Sequence, residues 1–200
     1  MAELINCILR AIKAMEESGL KYVIVGGAAA ILKGHSRTTM DVDFILEDDP
    51  PRISKLLNSL KKYNFKVPLE LVKRNIAAGS NASIDDAKSI LRLDLKLAHM
   101  PDEEEVLDDS NYEDLNGVQV RIASTKQVLY GKLLYLGTID DVSDAELLEF
   151  NDVLDFLTIL KLEATPADLE WLEYKADEKE LSKELHRLLE LAKKEEDWDK

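Results

Sequence analysis

Apolar and polar positions change period several times along the first 123 residues, and each change marks an element. Ile5, Ile8, Ile12 and Met15 recur at helical spacing, with Arg10 and Lys13 between them, which predicts an amphipathic N-terminal helix rather than a signal peptide. Tyr22 to Val25 is a short apolar run that predicts a buried strand, and Ala28 to Lys33 reads as a small helix stopped by Gly34. In Asp41-Val42-Asp43-Phe44 the alternation predicts a strand with Val42 and Phe44 in a core and both aspartates on the opposite face. Pro51 to Leu60 reads as a helix after a double-proline start, Phe65 to Val67 as an edge strand, and Leu69 to Ala78 as a helix ended by Gly79. Ser83-Ile84-Asp85-Asp86 reads as a turn. Leu91 to Leu97 alternates strictly, with leucines on one face and Arg92, Asp94 and Lys96 on the other. Pro101 to Asn116 is acidic and reads as a solvated connector, and Asn116-Gly117 as a turn before a strand over Val118 to Ile122.

From Ser124 onward the pattern is helical. Ser124-Thr125-Lys126-Gln127 has the form of a capping box that opens a helix through Leu136, and further helices are expected over 143–161, 166–175 and 177–195. Trp171 and Tyr174 read as packing residues within this part. The chain is therefore expected to form an α/β (α+β) core over residues 1–123 and a C-terminal helical region over 124–200, packed on that core.

Two hundred residues suffice to bury a substantial core, and no apolar run is long enough to span a membrane. Cys7 is the sole cysteine, which excludes an internal disulfide and fits a reducing, cytoplasmic setting. His35, His99 and His186 are scattered, so a zinc site has no ligands to assemble from. The net charge is −14, but it is uneven: −3 over residues 1–50, +6 over 51–100 and −17 over 101–200. Local rather than total charge attracts a ligand, and the basic middle, Arg92 and Lys96 above all, suits an anionic substrate.

The chemistry concentrates near the start. Asp41 and Asp43 share a strand face, and two adjacent carboxylates repel unless a cation lies between them. Their hard oxygens suit Mg²⁺ or Mn²⁺, which take one or two protein carboxylates together with substrate phosphates. Gly26 and Gly27 fall at a strand-to-helix turn. There Gly26 can adopt positive φ, and Gly27 leaves room for a phosphate to approach the backbone. The sequence holds no Walker A motif or nucleophile elbow, and no hydroxyl residue closely follows Asp43 as a dehalogenase-type phosphatase requires.

The apolar strand, Gly26-Gly27, the small-residue helix and Gly34-His35-Ser36-Arg37-Thr38-Thr39-Met40-Asp41-Val42-Asp43-Phe44 together resemble the nucleotidyltransferase superfamily of the DNA polymerase β type. The nearest branch carries a GG…G..R.T.D.D signature and includes the AbiEii-like toxins. The resemblance implies a mixed β-sheet flanked by helices. It also implies an enzyme that transfers a nucleoside monophosphate from a nucleoside triphosphate (NTP) to a hydroxyl of RNA, protein or a small molecule, releasing pyrophosphate. Asp41 and Asp43 would be metal ligands, and Gly26 and Gly27 the phosphate-side turn. Asp94 would be the third ligand and general base, with Asp85 and Asp86 as the fallback and a solvated, cation-paired aspartate as the plain alternative. Arg37 would either hold a phosphate oxygen or pair with an aspartate to fix the site, and Thr38 and Thr39 would anchor its loop. Lys132, in competition with Lys126, would reach the nucleotide. A cognate protein partner in a toxin–antitoxin pair also follows from the resemblance. The competing class is a non-catalytic module that keeps the fold to bind nucleotide or a partner.

Overall fold

The structure, a computed structural model, describes residues 1–198, with side chains through 194. It divides into two compact units. One comprises residues 1–28 and 38–124, the other residues 29–37 and 125–200. The segment 29–37, assigned to the core by the sequence pattern, thus clusters with the C-terminal helices.

The first unit is built on a seven-stranded mixed sheet flanked by helices. Its strands are β1 (Tyr22–Val25), β2 (Asp41–Leu46), β3 (Phe65–Lys66), β4 (Ala82–Asp86), β5 (Arg92–Leu97), β6 (Ser110–Leu115) and β7 (Val118–Ala123), in the order β3-β4-β5-β2-β1-β7-β6. The pairs β2–β5 and β1–β7 are parallel and the rest antiparallel. Helix α1 (Ala2–Ser18) buries Leu4, Ile8, Ala11, Ile12 and Met15 on one face and packs against α3 (Pro50–Lys62), which buries Ile53, Leu56, Leu57 and Leu60. Asp49 caps α3 by accepting the Arg52 N–H, with prolines in the first turn where no N–H is needed. The short α2 (Gly26–Leu32) follows β1 directly, and α4 (Leu69–Ala77) packs on β4.

Two expectations fail in this unit. Residues 82–86 form a strand rather than a turn. Ala82, Ile84 and Asp86 are buried, while Ser83 and Asp85 face out, and the apparently polar run is alternation with an acid on the inside. The acidic stretch 101–116 is not a loop either. It forms α5 (Pro101–Asp108) and β6, which closes a hairpin with β7 across Asn116-Gly117. Negative charge does not oppose α5, because acids in a first helical turn complement its exposed N–H groups. Glu103 accepts the His99 and Met100 N–H groups at 2.9 and 3.0 Å.

The second unit contains α6 (Thr125–Leu136), α7 (Asp144–Leu147), α8 (Asn151–Glu163), α9 (Pro166–Glu178) and α10 (Ser182–Trp198). Helix α6 packs on α8 and α9, and α10 on the same two, around Leu129, Leu133, Phe156, Leu172 and Leu188. The helix expected over 143–161 is two helices, because Phe150 takes an extended conformation (φ −84°, ψ 125°). Trp171 meets the Tyr130 ring edge-on at 5.5 Å, whereas Tyr174 is exposed and bonded to Glu178, so only the first of the two aromatics packs.

Candidate active site

The sheet register gathers the carboxylates. In the parallel β2–β5 pair, Asp43 lies opposite Asp94 and Asp41 opposite Arg92. Laterally paired residues point to the same side of a sheet, so Asp41, Asp43 and Asp94 share one face, while Val42, Phe44, Leu93 and Leu95 are buried on the other. The hydroxyl of Ser83, opposite Asp94 on β4, donates to Asp94 Oδ1 at 2.5 Å and fixes that carboxylate from the far side. Asp86 projects into the core instead. There it receives two hydrogen bonds from Arg10 (2.8 and 2.5 Å), one from Ser89 (2.6 Å) and one from the Lys88 N–H (3.0 Å). Strand parity therefore separates Asp86 from the cluster, and Asp85 lies exposed opposite Arg92.

Gly26 belongs to the same constellation. Its φ is +64°, and a Cβ at this position would lie 2.2 Å from Asp43 Oδ2 and 2.9 Å from Asp43 Cγ. The turn is glycine so that the carboxylate of Asp43, which faces the end of β1 in the antiparallel β1–β2 pair, can lie over its backbone. Gly27 follows as a buried residue in the first turn of α2. The loop into β2 is held by Thr39, whose hydroxyl donates to the Asp41 carbonyl at 3.2 Å and accepts the Asp41 N–H at 3.3 Å.

Asp41 and Asp94 are linked through Arg92, whose Nε lies 2.7 Å from Asp41 Oδ1 and 3.4 Å from Asp94 Oδ2. Asp41 Oδ1 is nevertheless buried without a hydrogen-bond partner, since no donor N–H is aligned on it. Among the described residues, no group of three or more His, Cys, Asp or Glu side chains is set to hold a metal ion as it stands. The donors are still of the hard-oxygen kind that Mg²⁺ takes, and the orphaned buried oxygen is one that a cation would satisfy. Lys96, on the same face, is drawn to Glu103 at 2.6 Å and so belongs to the start of α5.

Arg37 and Lys132 lie in the second unit, and both are engaged by one residue that sequence reasoning missed. Asp155, fully buried on α8, accepts from Arg37 Nε at 2.8 Å and Nη2 at 2.9 Å. It also lies 2.5 Å from His35 Nδ1 and 2.5 Å from Lys132 Nζ, which reaches Asp152 at 2.6 Å as well. Burial alone would raise the pKa of Asp155, but the bonds and charges of Arg37 and Lys132 outweigh it and hold the carboxyl below its usual range. One helical turn apart, Asp152 and Asp155 share a face of α8. The signal in the sequence was an acid within the run Val153 to Ile159, where Thr158 is the one other polar residue. Lys33 is tied to the same helix through Glu163 at 3.0 Å, and Thr125 joins that pair with a bond to Glu163 at 3.1 Å.

A mixed sheet sets aspartates from two neighbouring strands beside a glycine turn, and this architecture is similar to that of solved nucleotidyltransferase folds. Residues 3–89 match the family described as nucleotidyltransferase of unknown function (DUF6036). The match takes in Gly26, Asp41 and Asp43 and stops short of Asp94. Solved structures agree on the fold. A solution structure of the antibiotic-resistance factor ANT(2'')-Ia is similar with a TM-score of 0.58 at 15% identity, over 93% of this chain and 97% of that one. A crystal structure of ANT(2")-Ia in complex with adenylyl-2"-tobramycin gives 0.57 at 14% identity, over 88% and 97%. An antigenic nucleotidyltransferase-like protein from Paracoccidioides brasiliensis gives 0.54 at 16% identity, over 94% and 93%. A search of curated proteins finds no match. Among the described residues, no helix is long and apolar enough to cross a membrane.

Proposed function

We propose that this protein transfers a nucleoside monophosphate from an NTP to a hydroxyl acceptor and releases pyrophosphate, with Mg²⁺ or Mn²⁺ held by Asp41, Asp43 and Asp94. The observation that carries this reading is the register of β2 against β5, which places Asp43 beside Asp94 on the face that also bears Asp41. A bound divalent ion supplies charge stabilisation to the phosphoryl group in transfer. Asp94, with Oδ1 held by Ser83 and Oδ2 3.4 Å from Arg92 Nε, would take the proton of the attacking hydroxyl on Oδ2 once Arg92 has moved aside. Gly26 leaves Asp43 free to lie against the turn, and the Gly26-Gly27 backbone is the phosphate side of the site.

A specific observation favours a second reading, the non-catalytic module. Arg92 stands among the carboxylates and offsets their charge with no metal at all. One experiment separates the two. Isothermal calorimetry with NTPs in Mg²⁺ and in EDTA is paired with a labelled-NTP transfer assay against RNA, lysate protein and small hydroxyl compounds. Aminoglycosides belong in the last group because one fold neighbour is seen with an adenylylated tobramycin. Metal-dependent NTP binding and label transfer are expected, and Asp43→Asn should cut transfer by roughly a thousandfold. NTP binding of equal strength in EDTA would overturn the metal site, and transfer by Asp43→Asn at the wild-type rate would overturn the enzyme. A cognate protein, as in toxin–antitoxin pairs, would be sought by co-purification of the tagged protein from cytoplasmic extract.

A further inference from the structure

The register that gathers the carboxylates also seats a cation among them. Arg92 is flanked by Asp41 on β2, by Asp85 on β4 and by Asp94 two residues along its own strand, and Asp43 lies opposite Asp94. The charged groups beside it on these strands are acids, and Lys96, farther along the same face, is drawn to Glu103. The guanidinium is nevertheless loosely held. Its side chain is 49% exposed, and its 2.7 Å approach to Asp41 Oδ1 is an ion pair without an aligned hydrogen bond. An anchored arginine would instead present the two-pronged fork that Arg37 presents to Asp155. A contact made by charge alone, from the end of a long side chain open to water, is one that a stronger cation can replace.

We propose that Arg92 is a resident counter-ion of the carboxylate cluster: it neutralises Asp41 and Asp94 while no metal is bound and is displaced when a divalent cation enters. The inference rests on the metal-site reading above and adds a competitor to it. Two effects follow, of opposite sign. Metal affinity in the wild-type protein is lowered by the work of evicting the guanidinium. The metal-free fold is stabilised by the guanidinium, because three carboxylates on one sheet face repel without it.

The test titrates Mn²⁺ into the wild type, Arg92→Gln, Arg92→Lys and Asp43→Asn, reading free Mn²⁺ by electron paramagnetic resonance, and melts each protein in EDTA and in saturating Mn²⁺. Arg92→Gln should bind Mn²⁺ about tenfold more tightly, which corresponds to relief of about 1.4 kcal/mol of competition. It should melt below the wild type in EDTA, with the gap closing in Mn²⁺. Arg92→Lys, which keeps the charge, should stay within about twofold of the wild-type affinity. If the wild type binds Mn²⁺ and Asp43→Asn does not, while Arg92→Gln binds no more tightly than the wild type, the counter-ion role falls and the metal site survives. If neither the wild type nor Arg92→Gln binds Mn²⁺, both fall together. An Arg92→Gln protein that folds only in Mn²⁺ would support the inference. One that folds in neither condition would overturn it, by assigning Arg92 to the scaffold.

Discussion

At Gly26, two demands meet in one residue: a left-handed backbone (φ +64°) and an empty Cβ position 2.2 Å from the carboxylate of Asp43. Alanine would meet the first at a cost of roughly 1–2 kcal/mol and could meet the second only by pushing Asp43 aside. Gly26→Ala should therefore lower the urea midpoint modestly and weaken Mn²⁺ binding by at least about tenfold. A variant that keeps the wild-type Mn²⁺ affinity would show that Asp43 is not a ligand in the position it occupies. The aspartates and the turn glycine were legible in the sequence because strand alternation and the Gly-Gly pair are local patterns. Asp155 was not, because its meaning lies in His35, Arg37 and Lys132, which no spacing along the chain connects to it.

Among the elements, β4 carries the clearest lesson about hidden pattern. Its inward residue at the third buried position is Asp86, so the alternation that identifies a strand reads as polar just where the strand is buried. Arg10 of α1 resolves the conflict by a two-pronged bond, while it also donates to the Tyr63 carbonyl at 3.0 Å and lies over the Phe65 ring. Burial by itself would raise the pKa of Asp86. The bond from Arg10, with those from Ser89 and the Lys88 N–H, brings it down to about 2. A carboxylate with a depressed folded pKa contributes stability that is complete above its unfolded value of 3.8 and is lost as pH falls towards 2. That contribution is about 2 kcal/mol. Urea midpoints measured from pH 5 to pH 2 should fall across this window in the wild type and fall less in Asp86→Asn, which starts lower. Parallel acid limbs in the two proteins would show that Asp86 is not the titrating group. Helix α5 and strand β6 were missed for a related reason. Their acids read as solvent-facing loop, although charge at a helix N-terminus and on an edge strand is compatible with regular structure.

For the whole molecule, the two units are discontinuous in sequence, since residues 29–37 cluster with 125–200. Within the second unit the join is ionic. His35, Arg37 and Lys132 converge on the buried Asp155, and Lys33 is bound to Glu163. Removing the central acid takes from His35, Arg37 and Lys132 the buried carboxylate they share, so Asp155→Ala should cost about 3–5 kcal/mol, read as a lowered urea midpoint. An unchanged midpoint would mean that Arg37 and Lys132 find other partners at no cost.

The same interleaving bears on how the chain is made. Synthesis proceeds from the N-terminus, and domains fold as their residues emerge. Every strand of the sheet is complete by Ala123, yet the acids that engage Lys33, His35 and Arg37 come later, at Asp155 and Glu163. A nascent chain whose sheet has just left the ribosome thus still carries Lys33, His35 and Arg37 in a nine-residue segment while Asp155 and Glu163 have not emerged. The ribosome would hold this protein with its carboxylate strands in place and its arginine loop not yet joined to Asp155 until the eighth helix emerges.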